Sequence, residues 1–429
     1  MLVHHDGCAY NEAASEAARE ARAKMEKIIE GGRVSAARVF DRVQNHVPVD
    51  RLAKGKGLRF GYASTKELAF EAQVPAFIGD PALTGQVNDE GIPLQVAALL
   101  GEQQQQAVDA ASAKDDGPSR LVLEIAEGTK EAIHSHALTQ IAGRAGIPGK
   151  YLAELSTSEN PILRSLALEI LESHYRGTDQ ALDRYLLRSV DGELRGFLSD
   201  KYRRLDNRPL LEAFALACQE MGAVPVDGTA SDVRVAMKAF LPYVLEPVPN
   251  EVMLIGVEWA NSDFGAAALT LSLVALRLWC TNKATMQNAL RNVHLGRRLD
   301  ENISYSEETY RLDTQATVSA MRDTVKDLLS PNRVNALQET IKAASAVKAT
   351  WHSLPKKVLD AMTKSEAELA KKLYDEEQPD IMMLPAEKTV WRASNVLSWL
   401  AGQAKDADHK LDLERAAGEV IAMAAKKAA

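Results

Sequence analysis

The chain has few of the features that mark secreted or membrane-spanning proteins. Its three cysteines, Cys8, Cys218 and Cys280, lie far apart in 429 residues, which argues against a disulfide framework and favours a reducing compartment. The first twenty residues lack a basic segment followed by an apolar run, so we expect no signal peptide. The most apolar run, residues 266–280, contains Arg277 and is too short to cross a bilayer. These absences predict a cytoplasmic protein with no membrane partner.

Motifs of catalysis and metal binding are also missing. The sequence holds no HExxH, CxxC or Gly-x-Ser-x-Gly motif, and no phosphate-binding or dinucleotide-binding glycine loop in a suitable context. His134 and His136 fall on an expected helix, where side chains two residues apart diverge and do not share a ligand. Cys280 and His294 fit a thiol nucleophile and its base, but a lone cysteine ending an apolar strand is more often core. We expect no cofactor and no metal, and a binding protein rather than an enzyme.

Acidic residues are absent from residues 264–299, although the chain carries 59 Asp and Glu against 51 Lys and Arg. We call this stretch the acid-free window. A second group of basic residues lies within residues 188–208, where acidic residues are interspersed among them. If both groups share one face, they predict a groove for a phosphate backbone. The candidate nucleic-acid-binding residues are Arg188, Lys201, Arg203, Arg204, Arg208, Lys283, Arg291, His294, Arg297 and Arg298.

Three aromatic residues lie in or near these basic groups. Tyr202, Phe240 and Trp279 are placed to stack on bases, each contributing about 1–3 kcal/mol. The competing interpretation is that these rings belong to the core and that the arginines pair with distant acids. Arg277 lies within an apolar strand, where an unpaired charge would be costly, so we expect a structural ion pair there.

The pattern of elements predicts an α+β fold, with an antiparallel sheet core, interleaved helices and a helical C-terminal region. We divide the chain into an N-terminal variable region (1–101), a polar linker (102–118), an α+β core (119–305) and a helical region (306–429). A first helix is expected over residues 10–30 and a last one over 411–427.

Local signals place several elements of the core. Asp191-Gly192 predicts a tight hairpin between two strands, because a type I′ turn needs positive φ at both central residues. Residues 233–241 alternate as in a half-buried strand that exposes Arg234 and Lys238, and residues 252–259 and 267–279 predict a second hairpin. Asn207 is expected to cap one helix, and Thr281 or Asn282 another over residues 283–293. Two helices flanking Gly146 predict either a plain helical hairpin or a helix-turn-helix unit.

Three stretches resemble a known family. They are LLRSVDGELRGFLSDKYRRLDN at 186–207, WANSDFG at 259–265 and LRLWCTNKATM at 276–286. They are similar to the phage/plasmid-like protein family that carries the domain of unknown function 932. Members typically show Ser-Asp-x-Tyr-Arg, an Asn before a helix, and later Arg-x-x-Cys-x-Asn with a basic, His-containing segment. The chain departs from this pattern at Asn292-Val293-His294, where members often have Arg-His-Thr.

The resemblance covers about residues 120–310, with a weaker echo at 389–400. It implies a setting in phages, plasmids and integrated elements. The family's order of strands and helices also looks like that of single-strand annealing proteins of recombination, which is an analogy of fold.

These observations support three hypotheses. The first is a nucleic-acid-binding protein of a mobile genetic element that binds or anneals single-stranded DNA and forms a homo-oligomer, with RNA or duplex DNA as other partners. The second is an enzyme acting on nucleic acid or a nucleotide through the carboxylates of Asp200, Asp206, Glu258 and Asp263. The third is a regulator that binds duplex DNA through the helix pair near Gly146.

Overall fold

The fold is α+β, as predicted, with two mostly antiparallel sheets and a helical C-terminal region. The structure is a computed structural model that describes residues 13, 15–64, 68, 119–124, 130–177, 183–278, 283–292, 306–377 and 384–428. Its helices are α1 (Glu16–Asn45), α2 (Ser135–Arg144), α3 (Gly149–Ser156), α4 (Pro161–Gly177), α5 (Asn207–Glu220), α6 (Glu307–Leu328), α7 (Pro331–Ala346), α8 (Lys356–Leu359), α9 (Lys364–Asp375), α10 (Val390–Gln403) and α11 (Ala407–Ala428). Its strands are β1 (Val49–Lys54), β2 (Arg59–Ala63), β3 (Arg120–Glu124), β4 (Lys130–Ile133), β5 (Arg184–Val190), β6 (Glu193–Ser199), β7 (Val224–Ala230), β8 (Val235–Phe240), β9 (Leu245–Val248), β10 (Glu251–Asn261), β11 (Leu269–Arg277) and β12 (Lys283–Asn292).

The chain forms two compact units. The small unit is His46–Tyr202, and the large unit combines Met1–Asn45 with Arg203–Ala429. The expected core segment, 119–305, contributes to both units, and the expected linker, 102–118, lies outside the described residues. The four segments drawn from composition therefore stay a prediction.

The small unit is built on a six-stranded sheet with the order β1-β5-β6-β4-β3-β2. Neighbouring strands are antiparallel except β4 and β6, which are parallel. The β5–β6 turn has φ 52° at Asp191 and φ 74° at Gly192, which confirms the predicted type I′ geometry. Helices α2, α3 and α4 contribute to the core of this unit together with the sheet.

This sheet is curled rather than flat. Strands β1 and β2 lie at its two ends, yet only residues 55–58 separate them in the chain. A flat sheet would place the end strands about 24 Å apart, at about 4.8 Å per strand. The chain from Lys54 to Arg59 spans at most about 18 Å. The pairing directions make β1 and β2 parallel. The short link therefore continues in the direction of β1 and connects the first strand of the sheet directly to the last.

An aromatic cluster fills the core of the small unit. The side chain of Tyr175 is fully buried, and its hydroxyl donates to the carbonyl of Ile141 at 2.8 Å. The rings of Phe60, Tyr185 and Phe197 surround it, with centroids 5.5–5.6 Å from its own. These contacts join α4 to the end strand β2 and to β5 and β6 of the curled sheet.

The large unit contains the second sheet, ordered β12-β11-β10-β8-β7, with β9 paired to β10. Helix α1 covers the edge strand β7: the Ser35 hydroxyl donates to the Gly228 carbonyl at 3.0 Å and accepts from the Gly228 N–H at 2.7 Å. A Cβ atom at Gly32 would lie 2.3 Å from the Val226 carbonyl oxygen, so this close approach requires glycine. The helix supplies partners to backbone groups that an edge strand otherwise leaves open.

The C-terminal helices share the hydrophobic core of the large sheet. Trp259, Phe214, Met321 and Val396 belong to one buried cluster that includes residues of α6, α7, α10 and α11. Arg392 of α10 is buried, and its guanidinium donates to the carbonyls of Leu373, Glu376, Pro385 and Ala386. In the described part of the chain no helix combines the length and apolarity that crossing a bilayer requires.

Several local predictions were wrong. Residues 283–292 form strand β12, not a helix, because they pair along β11, from Leu276–Lys283 to Leu269–Asn292. The first helix begins at Glu16 and runs to Asn45, and the last begins at Ala407. Asp206, not Asn207, occupies the N-cap of α5. Strand β8 is buried along its whole length, because Glu414 of α11 pairs with Lys238, the one charged residue of the strand.

Candidate nucleic-acid interface

Two of the predicted binding residues lie in the small unit. Arg188 on β5 is buried, and its Nε donates to Asp50 at 2.7 Å. Its guanidinium also lies 5.9 Å from the centroid of the Tyr202 ring. Lys201 follows β6, is half-buried, and its side chain has no hydrogen bond, ion pair or ring contact within the described residues. Of these two, Lys201 is the one placed to meet an external anion.

Three more predicted residues lie at the start of the second segment of the large unit, Arg203–Ala429. Arg203 forms a bidentate pair with Asp313, at 2.6 and 2.7 Å, and donates to the Thr317 hydroxyl at 2.9 Å. Arg204 lies over the Tyr310 ring, 4.7 Å from its centroid. Arg208 is exposed and pairs with Glu212 one turn along α5, at 3.5 Å. Each cation therefore has a partner within the protein, and a phosphate would have to compete with it.

A buried polar network joins two of the motif segments. The Asp263 carboxylate accepts from the Asn207 backbone N–H at 2.7 Å and from its side-chain amide at 2.8 Å. Asn261 donates to the Asn207 side-chain oxygen at 2.9 Å and to the Leu205 carbonyl at 2.7 Å. All of these donors and acceptors are buried, so they hold residues 205–207 against residues 261–263 within the large unit. The motif residues Asn207, Asn261 and Asp263 have a structural role here.

The acid-free window is described only in part. Arg277 on β11 is buried and pairs with Glu251 at 2.5 Å, which confirms the predicted structural ion pair. Lys283 and Arg291 lie on the edge strand β12. The structure describes the backbone of these two residues. His294, Arg297, Arg298, Trp279 and Cys280 lie outside the described residues.

The candidate stacking rings that are described belong to the core. Phe240 is fully buried, and Tyr202 packs with Leu186 and Leu198. Neither ring can meet a base without a rearrangement of the protein. The core interpretation is therefore correct for these two residues.

The four carboxylates of the enzyme hypothesis each have a structural partner or position within their own unit. Asp200 pairs with Arg184 in the small unit at 3.2 Å, and Asp263 belongs to the buried network with Asn207. Glu258 is buried beside Lys238 at 3.1 Å, and Asp206 occupies a helix N-cap. Across the described ranges, no three His, Cys, Asp or Glu side chains come together in a way that could hold a metal ion.

The helix pair near Gly146 is present as predicted. Helices α2 and α3 are joined by residues 145–148, with φ 70° at Gly146. The exposed part of α3 carries Tyr151 and one cation, Lys150, which pairs with Glu154 at 3.9 Å. This short helix offers little positive potential to a duplex.

A basic cluster that the sequence reasoning missed lies at the β1–β2 link. We call it the basic rim and define it as Lys54, Lys56, Arg59 and Lys201. The first three are exposed, and within the described residues none of the four side chains has a hydrogen bond, an ion pair or a ring contact. The detectable signal was a second acid-free stretch, residues 51–66, in a chain of net charge −8.

Strand pairing brings Lys54 and Lys201 to the same end of the sheet, and Lys56 and Arg59 follow Lys54 along the β1–β2 link. Lys54 lies opposite Arg184, and Tyr185 lies opposite Ser199, so Lys201 follows two strands away from Lys54. At about 4.8 Å per strand, their Cα atoms are about 10 Å apart. Arg184 and Asp200 between them neutralise each other. Two acids lie beside the rim: Asp183, whose carbonyl accepts from the Gly55 N–H at 3.0 Å, and Glu124, which lies opposite Arg59 in the β2–β3 pairing and 3.9 Å from Lys130.

No protein family model, no curated protein and no solved structure matches this chain. Membership of the phage/plasmid-like family therefore stays a prediction that depends on the motif residues.

Proposed function

We propose that the protein binds single-stranded nucleic acid through its phosphate backbone, as a component of a mobile genetic element that aligns or anneals strands. The basic rim is the observation that carries this proposal. Most arginines near residues 188–208 already have acidic or aromatic partners, whereas the four rim cations have none within the described residues. A phosphate bound there displaces water and counterions but no ion pair of the protein.

The arrangement favours backbone contacts over base reading. Lysine ammonium groups and an exposed arginine neutralise phosphates but carry no sequence information. The described candidate rings, Tyr202 and Phe240, are buried, so base stacking contributes nothing at these positions. We therefore expect binding with little sequence preference, and with an affinity that depends strongly on salt.

The mobile-element part of the proposal comes from the motif resemblance. The annealing part comes from the analogy of fold, and it implies self-association, because one weak site gains strength when several copies line up along a strand. We accordingly propose a homo-oligomer as the binding form.

The test is a salt titration of binding to a labelled single strand, with duplex DNA and single-stranded RNA in parallel. Each lost phosphate contact should flatten the slope of log affinity against log salt by about 0.7. The variant carrying Lys56→Ala, Arg59→Ala and Lys201→Ala should therefore flatten the slope by about two units while circular dichroism stays unchanged.

The matched control removes three exposed cations elsewhere, by Lys356→Ala, Lys371→Ala and Lys405→Ala. The control changes net charge by the same three units, and its side chains also have no hydrogen-bond, ion-pair or ring partner within the described residues. Its slope should stay close to that of the unchanged protein. A folded rim variant with an unaltered slope, or a control that flattens it equally, refutes the proposal.

The same experiment separates the other hypotheses. Mg²⁺-dependent cleavage that is lost with Asp200→Ala would replace binding by catalysis. Tight sequence-specific duplex binding that is lost with Tyr151→Ala would instead assign the activity to the helix pair near Gly146.

A further inference from the structure

Strand β1 is an edge strand with exposed apolar side chains. It pairs with β5 alone in the described sheet, and the side chains of Val49 and Leu52 are 58% and 53% exposed. A strand edge of this kind is a template for pairing with another strand. The charged residues Asp50 and Lys54 lie on the same side of β1 as Leu52, because side chains alternate along a strand.

The hydrogen-bond register shows which backbone groups face outward. The Gly55 N–H donates to the Asp183 carbonyl, directly opposite it in the continuing ladder. Bonded pairs alternate along an antiparallel ladder, so the odd-numbered residues of β1 bond to β5. The N–H and C=O groups of Leu52 and Lys54 therefore point away from the sheet.

We propose that β1 pairs antiparallel with β1 of a second copy of this chain, about a two-fold axis through Leu52. This register places Leu52 opposite Leu52 and Asp50 opposite Lys54 twice, so both charges face opposite charges. It also makes Leu52 a hydrogen-bonded pair, which suits its outward backbone groups. The carboxylate of Asp50 is held in place by Arg188 on the same strand pair.

The two neighbouring pairing registers, with the axis through Arg51 or Ala53, are less favourable. A two-fold axis through Arg51 would place two guanidinium groups opposite each other. An axis through Ala53 would need the 3₁₀ turn Gly55–Gly57 to continue as a strand. The sequence of β1 is thus self-complementary in one register.

The interface formed by this β1–β1 pairing buries little surface. Six residues on each side bury less surface than the about 1,200–2,000 Å² of a stable interface, so we expect a weak dimer. Nucleic acid bound by both copies would strengthen it through effective concentration. The pairing does not depend on nucleic-acid binding, and it places the two Lys54 residues about 14 Å apart along the strands. It engages Lys54, leaving Lys56, Arg59 and Lys201 for phosphates.

Disulfide trapping tests the register. In a hydrogen-bonded pair the two Cα atoms are about 5.5 Å apart, within the about 4.4–6.8 Å range of disulfides. Leu52→Cys should therefore cross-link under mild oxidation in a Cys8→Ser, Cys280→Ser background, without nucleic acid. Cys218 does not interfere, because it is buried and burial raises the pKa of its thiol.

Val49→Cys is the matched control. It lies on the same strand with similar exposure, but the proposed register separates the two copies of residue 49 by about 20 Å. We expect dimers on a non-reducing gel for Leu52→Cys and monomers for Val49→Cys. A Leu52→Cys protein that stays monomeric, or a Val49→Cys protein that cross-links as fast, overturns the proposal.

Sedimentation supplies an independent readout. Leu52→Asp should shift the unmodified protein toward monomer with an unchanged circular dichroism spectrum, since Leu52 is exposed and outside the core. A folded Leu52→Asp protein with the same self-association as the parent would also refute the pairing.

Discussion

Replacing Lys238 by methionine should destabilise the large unit severely. The Lys238 ammonium lies 2.6 Å from Glu414 and 3.1 Å from Glu258, and all three residues are buried. Although burial alone lowers the pKa of Lys238, the two carboxylates raise it well above its usual value. Methionine keeps the length of the side chain and removes the charge. Two buried carboxylates then remain with Arg415 as their cation, at 3.5 Å from Glu258.

The magnitude follows from this uncompensated charge. Removing one partner of a buried ion pair costs about 3–5 kcal/mol, a large part of the about 5–15 kcal/mol that stabilises a typical domain. Adding Glu414→Gln restores neutrality among the remaining groups. The double variant should therefore recover a coupling energy of about 1–3 kcal/mol relative to the sum of the single variants.

Urea unfolding followed by tryptophan fluorescence measures this loss. All five tryptophans lie between residues 259 and 399, so the signal reports on the large unit alone. Lys357→Met is the matched control: Lys357 is 81% exposed and pairs with Glu419 at the surface, so its loss should cost less than about 1 kcal/mol. A loss below about 1 kcal/mol for Lys238→Met, or no recovery with Glu414→Gln, would show that this ion cluster does not hold α11 to the sheet.

Two further predictions concern the acid-free window and pH. Changing Arg291, Arg297 and Arg298 together to Ala should flatten the salt dependence of single-strand binding by about two units, and an unchanged slope in a folded protein would remove the window from the binding site. Burial alone raises the pKa of Glu258, but Lys238 and Arg415 lower it below its ordinary value. A lowered carboxyl pKa contributes stability that is complete above about pH 4.3 and is lost as the pH falls through the folded-state pKa. Acid titration of the urea midpoint should show this decline, and Glu258→Gln should reduce it; an identical decline in both proteins would contradict the assignment.

Sequence reasoning succeeded where the cause is local. Asp191-Gly192 predicted a type I′ turn because few residues adopt positive φ readily, and both residues have positive φ in the structure. The helix pair around Gly146 and the ion pair of Arg277 were predicted for similar reasons: a turn residue in the first case, and the cost of an unpaired charge in an apolar strand in the second.

Sequence reasoning failed where the local structure depends on contacts with a segment distant in the chain. Residues 283–292 have polar residues before them that suit a helix cap, but pairing with β11 makes them a strand. Strand propensity is weak compared with the packing and hydrogen bonding that a neighbouring strand supplies. Asn207 likewise has the chemistry of a cap, but its side chain binds Asp263 from another loop.

The candidate binding residues divide in the same way. The sequence alone determined where positive charge is concentrated, including residues 264–299 and the overlooked stretch 51–66. Only the tertiary structure decided which cations keep that charge available. Arg203 pairs with Asp313, 110 residues along the chain, whereas Lys56 and Arg59 form no ion pair among the described residues. An ion pair depends on a separation of a few ångströms, and the fold alone determines which charges approach that closely.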